Sequence, residues 1–158
     1  MYRRYGDARI LSENYEMMKK WYVFLEERAK KRPVNPVKRF KRNPYRRYTI
    51  ETGVDYGEWC EPDVESTSAM RTPQGKVATA FFAYSGRMLA EIAAILGKED
   101  DAAYYSKTAE MAKKAWRFIA TEDGKISSDR QADYVRALAF GLLDGDEARQ
   151  AAADLNDW

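Results

Sequence analysis

Apolar residues recur at three- and four-residue spacing over most of the chain, the period of helices packed on one side. The first such stretch begins near Asp7 or Ser12, either of which can accept from the opening amides. Tyr15, Met18, Tyr22, Leu25 and Ala29 form its stripe, with Met17, Trp21 and Phe24 beside them. A stripe that wide predicts burial on more than one side. The helix runs out near Arg32, before Pro33. A second helix is predicted from about Lys76 to Leu96. Val77, Phe81, Tyr84, Met88, Ile92 and Ile95 mark one face, and Ala78, Phe82, Ser85, Leu89, Ala93 and Leu96 the adjoining one. Gly86 in its middle predicts a close helix contact, and Gly97 a left-handed terminator. The third helix runs from about Asp101 to Ala120 after an Asp100 cap, with Tyr105, Ala109, Ala112, Trp116 and Ile119 inward. After a loop at Thr121 to Lys125, Asp129 is expected to cap a fourth helix carrying Ala132, Val135, Leu138, Ala139 and Leu142. Gly145 breaks it, and Asp146 opens a fifth through Ala148, Ala151, Ala152 and Leu155. No β alternation is evident. The short connections predict antiparallel neighbours, hence a single all-α domain over residues 1–158, interrupted by one long loop at about 32–75.

Composition narrows the chemistry. The 158 residues suffice for one core, and 33% are charged. There is no histidine, so a Ser-His-Asp or Cys-His mechanism carried by this chain is excluded, and the commonest zinc ligand is missing. The one cysteine, Cys60, forbids an internal disulfide and fits a reducing compartment or indifference to redox state. No apolar run approaches the roughly 18–20 residues of a membrane span, and the opening residues lack a signal-peptide core. A cytoplasmic, soluble protein is expected, with no membrane partner. No cofactor motif is present. The loop acids match no standard calcium spacing, so no metal is expected.

The long loop holds the candidate chemistry. From Arg28 to Arg47 all charges are positive, interleaved with Phe40, Tyr45 and Tyr48 and cut by Pro33, Pro36 and Pro44. Such a run suits a nucleic-acid arm, but it equally suits a solvated loop balanced by neighbouring acids, and the second reading is preferred. Those acids follow at once: Glu51, Asp55, Glu58, Glu61, Asp63 and Glu65. The stretch from Gly53 to Asp63 cannot be a helix interior, because Gly53, Gly57 and Pro62 punctuate it. Trp59 among carboxylates suits a sugar: the indole face packs on C–H patches, and the acids accept hydroxyl hydrogen bonds. The plainer alternative is a structured loop whose Trp59 plugs the core.

Four segments in order resemble bacterial α-L-rhamnosidases of glycoside hydrolase family 78. They run from Tyr5 to Glu27, Thr52 to Asp63, Lys76 to Trp116 and Gly124 to Leu143. The resemblance covers about Tyr5 to Leu155 and implies the middle of a catalytic (α/α)6 barrel, five or so of its twelve helices. It implies a rhamnose-containing glycoside as substrate. It also implies that the general acid lies upstream of this chain and the general base downstream, for an inverting two-carboxylate mechanism. By resemblance, Trp59 contacts the sugar and Glu58 holds a hydroxyl or orients a neighbour, with Asp55, Glu61 and Asp63 flanking. Arg130 and Gln131 open a helix aimed at the same cavity, although Arg130 as an ion pair to the acidic loop is an equal alternative. Asp7 reads as a cap rather than a catalyst.

Two expectations about the isolated chain follow. Half a barrel leaves an open groove in which a general acid's raised pKa is hard to sustain, so no glycosidase activity is expected. Helices apolar on two faces expose one of them, so a homo-oligomer is expected, with exchanged helices one route to it. The alternative to a rhamnosidase segment is a helical-hairpin interaction module that oligomerises through those faces.

Overall fold

A computed structural model describes residues 2–32, 43–53 and 75–157. Its elements are α1 (Tyr2–Tyr5), α2 (Arg9–Lys30), a 3-10 turn (Arg46–Tyr48), α3 (Gly75–Ile95), α4 (Glu99–Ala120), β1 (Thr121–Glu122), β2 (Lys125–Ile126), α5 (Gln131–Ala139) and α6 (Gly145–Asn156).

The α3–α4 hairpin is the most extensive pairing of elements. Small residues make it so. Ala78, Ala83, Gly86 and Ala93 on α3, and Ala109, Ala112 and Ala115 on α4, are all buried. Backbones that close leave little void between them. Trp116 of α4 and Phe82 of α3 fill the rest, both 1% exposed. α2 lies across the pair. Its Tyr22 ring sits 5.2 Å from Phe82 and 5.3 Å, edge-on, from Tyr105, within the range of favourable aromatic pairs. Gly86 is required here: a Cβ in its place would lie 2.8 Å from Tyr22 Cζ and 3.0 Å from Ala109 Cβ.

The helix ends show what closes each element. Ala8, not Asp7 or Ser12, stands at the cap of α2; the Asp7 carboxylate one residue earlier accepts the Arg9 amide at 3.0 Å and the Arg9 guanidinium at 2.6 Å. Ser12 lies inside the helix. α3 ends in a Schellman turn, with Lys98 N–H on Ala93 O and Gly97 N–H on Ala94 O, and Gly97 at φ +69°. α5 ends the same way, Leu142 on Ala137 and Gly141 on Leu138.

Several local expectations are corrected. α4 starts at Glu99, so Asp100 lies in its first turn with Glu99 and Asp101, where acids favour the helix dipole, rather than at its cap. Arg130, not Asp129, stands at the cap of α5, its amide donating to Ser128 Oγ at 3.3 Å. α5 is nine residues long and turns Tyr134, Arg136 and Ala137 inward, leaving Val135 51% exposed and Leu142 beyond its end. Gly145 opens α6 instead of preceding it. The loop after α4 is a two-stranded hairpin, Thr121 opposite Ile126 and Glu122 opposite Lys125. Asp123 and Gly124 both have positive φ, the geometry of a tight primed turn. Lastly, α2 buries one side only: Met17, Trp21 and Phe24 are exposed. No described helix is long and apolar enough to cross a membrane.

Candidate functional site

One end of the helix pair gathers the polar chemistry. Because α3 and α4 run antiparallel through a three-residue turn, the start of α3 lies beside the end of α4. Lys76 Nζ donates to Ser127 O at 3.0 Å, which ties the start of α3 to the segment that leads into α5. Ser127 is itself held on Ala120 O through its amide at 2.9 Å and its hydroxyl at 3.1 Å. Arg130 and Gln131 therefore sit at this end, both exposed.

The segment 43–53 reaches the same end. The Ile50 amide donates to Thr79 Oγ1 at 3.1 Å on the first turns of α3. The Arg28 guanidinium, near the end of α2, donates to Thr52 O. Asn43 Nδ2 donates to Thr49 Oγ1 at 2.7 Å inside the protein. Residues 54–74 lie outside the described residues, and with them Asp55, Glu58, Trp59, Glu61 and Asp63. The described chain on both sides of that gap, Thr52 and Gly75, is anchored at this end.

Glu51 stands out within the cluster. It is 2% exposed, and neither carboxylate oxygen has a hydrogen-bond partner. Arg46 Nε lies 3.9 Å away and is itself buried without a partner. Burial pushes the Glu51 carboxyl up from the ordinary carboxylate range, against the pull of Arg46 and then Arg32. A charge there is costly because the low-dielectric surroundings give it no donors.

The start of α5 carries hydrogen-bonding groups: the Arg130 guanidinium, the Gln131 amide and the Ser128 hydroxyl, which accepts the Arg130 amide. Such a set suits ring hydroxyls of a neutral ligand. Sequence reasoning counted Glu51 only as one acid in a run and passed over Lys76, Thr79 and Ser127. The clustering of Asn43, Thr49 and Thr79 was the available signal, and it needed the fold to bring the three together. Two described cavities lie elsewhere. A cleft of about 500 Å³ runs between α3, α4 and the α5–α6 turn, past Arg87, Glu91, Glu110, Lys113 and Asp144. An apolar groove of about 200 Å³ lies between α2 and α3. No group of three or more potential metal ligands occurs among the described residues.

Comparison with known proteins agrees with this arrangement of hairpins. Residues 1–157 match the family described as the bacterial alpha-L-rhamnosidase 6 hairpin glycosidase domain. An alpha-L-rhamnosidase of Formosa agariphila is 30% identical over 158 residues, covering 98% of this chain and 15% of that protein. One of Streptomyces avermitilis is 31% identical over 156 residues, covering 98% of this chain and 12% of that protein. Among solved structures, the alpha-L-rhamnosidase from Dictyoglumus thermophilum superposes with a TM-score of 0.71 at 26% identity, over 97% of this chain and 15% of that one. The Streptomyces avermitilis enzyme complexed with L-rhamnose gives 0.69 at 29%, over 98% and 12%. The chain thus spans a small part of each relative. With residues 1–157 matched by the family model and its helical hairpins superposing on those of solved rhamnosidases, the chain belongs to the bacterial α-L-rhamnosidase six-hairpin glycosidase domain family.

Proposed function

We propose that this chain is a scaffold-and-sugar-site segment of an α-L-rhamnosidase catalytic domain, serving hydrolysis of terminal α-L-rhamnosides by an inverting two-carboxylate mechanism. The observation that carries the reading is the family match over residues 1–157. In the proposed site, Trp59 packs on the rhamnose ring and Glu58 accepts one of its hydroxyls. Asp55, Glu61 and Asp63 flank them, and Arg130 and Gln131 donate from the start of α5. The general acid and base belong to other parts of the domain. Glu51 is not offered as either, because it is almost fully buried. The composition supports a cytoplasmic setting for the segment: one cysteine and no disulfide.

On this reading the 158-residue chain by itself does not turn over. The test is hydrolysis of a chromogenic aryl α-L-rhamnoside by the purified chain, beside its Glu58→Gln variant. The expected result is no hydrolysis by either. Sustained turnover that the variant loses would put the catalytic carboxylates in the acidic loop and overturn the assignment.

One observation favours a second property. Met17, Trp21, Phe24 and Phe81 are 62, 55, 48 and 49% exposed. Apolar area of this kind on a helical pair favours self-association, so the chain is also read as a homo-oligomer.

A further inference from the structure

We propose that residues 50–53 form a proton-released strap: ionisation of Glu51 lifts them off α2 and α3 and opens the end of the fold that carries the proposed sugar site. The strap lies in no helix or strand, so no ladder of backbone hydrogen bonds fastens it. Each described hydrogen bond between it and a helix uses a side chain. The Ile50 amide donates to Thr79 Oγ1 of α3 at 3.1 Å. The Arg28 guanidinium of α2 donates to Thr52 O, and Thr52 Oγ1 reaches Arg28 O at 3.5 Å. Burial of the Ile50 side chain, 1% exposed, keeps the strap down while Glu51 is neutral. Both ends of the strap are defined. Thr49, just before it, is held by Asn43 Nδ2 at 2.7 Å and by its own amide on Arg46 O at 3.3 Å. Gly53 turns the chain at φ +92°, and a Cβ there would lie 2.5 Å from Arg28 Nη2.

Glu51 is where the strap is least content. It is 2% exposed, and neither oxygen has a donor. An ionised carboxylate accepts about four hydrogen bonds in water. The charged groups that face it are Arg46 of the 3-10 turn and then Arg32, just past α2. Arg46 offers one buried Nε at 3.9 Å, too far for a hydrogen bond. Arg32 gives its Nη1 to Ala29 O and Lys31 O at 2.7 and 2.8 Å. α3 presents the neutral Thr79. The buried residues at this end of α4, Ala115, Trp116, Ile119 and Ala120, carry no charge. Burial outweighs both cations. Because the chain itself encloses Glu51, no group from outside reaches the carboxylate while the strap is down. Its donors must come from water, and lifting the strap is the shortest way to them. Parting a few side-chain hydrogen bonds costs less than unfolding the α3–α4 hairpin. The consequence for function rests on the sugar-site reading: residues 50–53 lead into the segment assigned to the sugar, so a raised strap loosens that site as pH rises. The movement itself does not depend on that reading.

The test is amide hydrogen exchange of the full chain, followed by NMR across pH, with each rate divided by its intrinsic rate to give a protection. The Ile50 amide reports the strap, and buried amides of the α3–α4 hairpin report global unfolding. Ile50 is expected to be protected at least roughly tenfold less than the hairpin, because the strap opens alone. Its protection is expected to fall about tenfold per pH unit between the ordinary carboxylate value and the folded one, then level off, since each opening releases one proton. Glu51→Gln is expected to make the Ile50 protection level across pH. Arg46→Gln removes the nearer cation and is expected to carry the fall to higher pH, which keeps the test decisive if Glu51→Gln misfolds. An Ile50 protection equal to that of the hairpin would overturn the strap. So would one that stays level in the parent, or a fall that persists in Glu51→Gln. A protection that rises with pH would mean that Arg46 closes onto the ionised carboxylate, and it too would overturn the strap. None of these results bears on the sugar reading, which the rhamnoside assay tests separately.

Discussion

Glu51 is the residue whose chemistry is most at odds with its surroundings. Its raised pKa means that the folded protein binds its proton more tightly than the unfolded chain does. The stability linked to it is therefore fully present below the ordinary carboxylate range, and it is lost as pH rises through the folded value. Glu51→Gln keeps the shape and removes the charge. Thermal melts should show the variant more stable than the parent near neutral pH, and its melting temperature should vary less as pH rises above the ordinary carboxylate range. A parent that is more stable than the variant at neutral pH would mean that Arg46 closes onto an ionised Glu51. The sequence shows an acid followed by more acids. That this one alone among the described acids is almost fully buried follows from Ile50 and Thr52 being pinned to α3 and α2 on either side of it.

At the scale of elements, the long helices were legible and the short ones less so. α2, α3 and α4 lie within a few residues of where their periodicity puts them, because twenty or so residues of repeated spacing outweigh any single position. Gly86 and Gly97 did what their places in the pattern require. α5 is only nine residues, so two or three apolar positions decide its inward face, and Tyr134 and Ala137 displace Val135. The Asp123–Gly124 turn was readable as hairpin chemistry, but two-residue strands carry no alternation to detect. Packing at the α2–α3–α4 crossing has a direct check. Gly86→Ala forces a methyl against Tyr22, which is 1% exposed and has no room to retreat. The expected cost is about 1–3 kcal/mol in urea unfolding. An unchanged midpoint would show that the crossing is looser than described.

For the whole molecule, the carboxylates set opposite limits on stability. Asp101 at the start of α4 accepts from Tyr15 of α2 at 2.7 Å and Lys19 at 3.2 Å, and these hydrogen bonds hold it below its usual range. The Lys113 ammonium does the same for Asp144, joining α4 to the turn before α6. A depressed carboxylate contributes stability above its ordinary value and loses it as pH falls through the folded one. Glu51 acts in the reverse sense on the neutral side. Stability should therefore lose the Asp101 and Asp144 contributions as pH falls below the ordinary carboxylate range, and the Glu51 contribution as pH rises above it. Melts across pH test this. Asp101→Asn should flatten the acid limb while leaving the neutral limb in place. That limb should weaken in high salt, because both acids are partly exposed. A curve that rises steadily to pH 7 would show that Glu51 does not titrate in this range.

The sequence by itself determined the all-α hairpin class, the long helices and the family, because those depend on period and on motifs spread along the whole chain. It also placed Arg130 and Gln131 at a helix start. Only the tertiary structure decided that the core would take the stripe of Tyr15, Tyr22, Leu25 and Ala29 alone and leave out Met17, Trp21 and Phe24 beside it. A repeat in steps of three and four names a face, while burial depends on which neighbour arrives. Tyr22, Phe82 and Tyr105 meet across three helices, so that stripe is filled and the side with Trp21 and Phe24 is left to solvent. The polar end is the same case. Thr49, Glu51, Thr79 and Ser127 are far apart in sequence, and their hydrogen bonds exist only once α3 and α4 have folded back on each other.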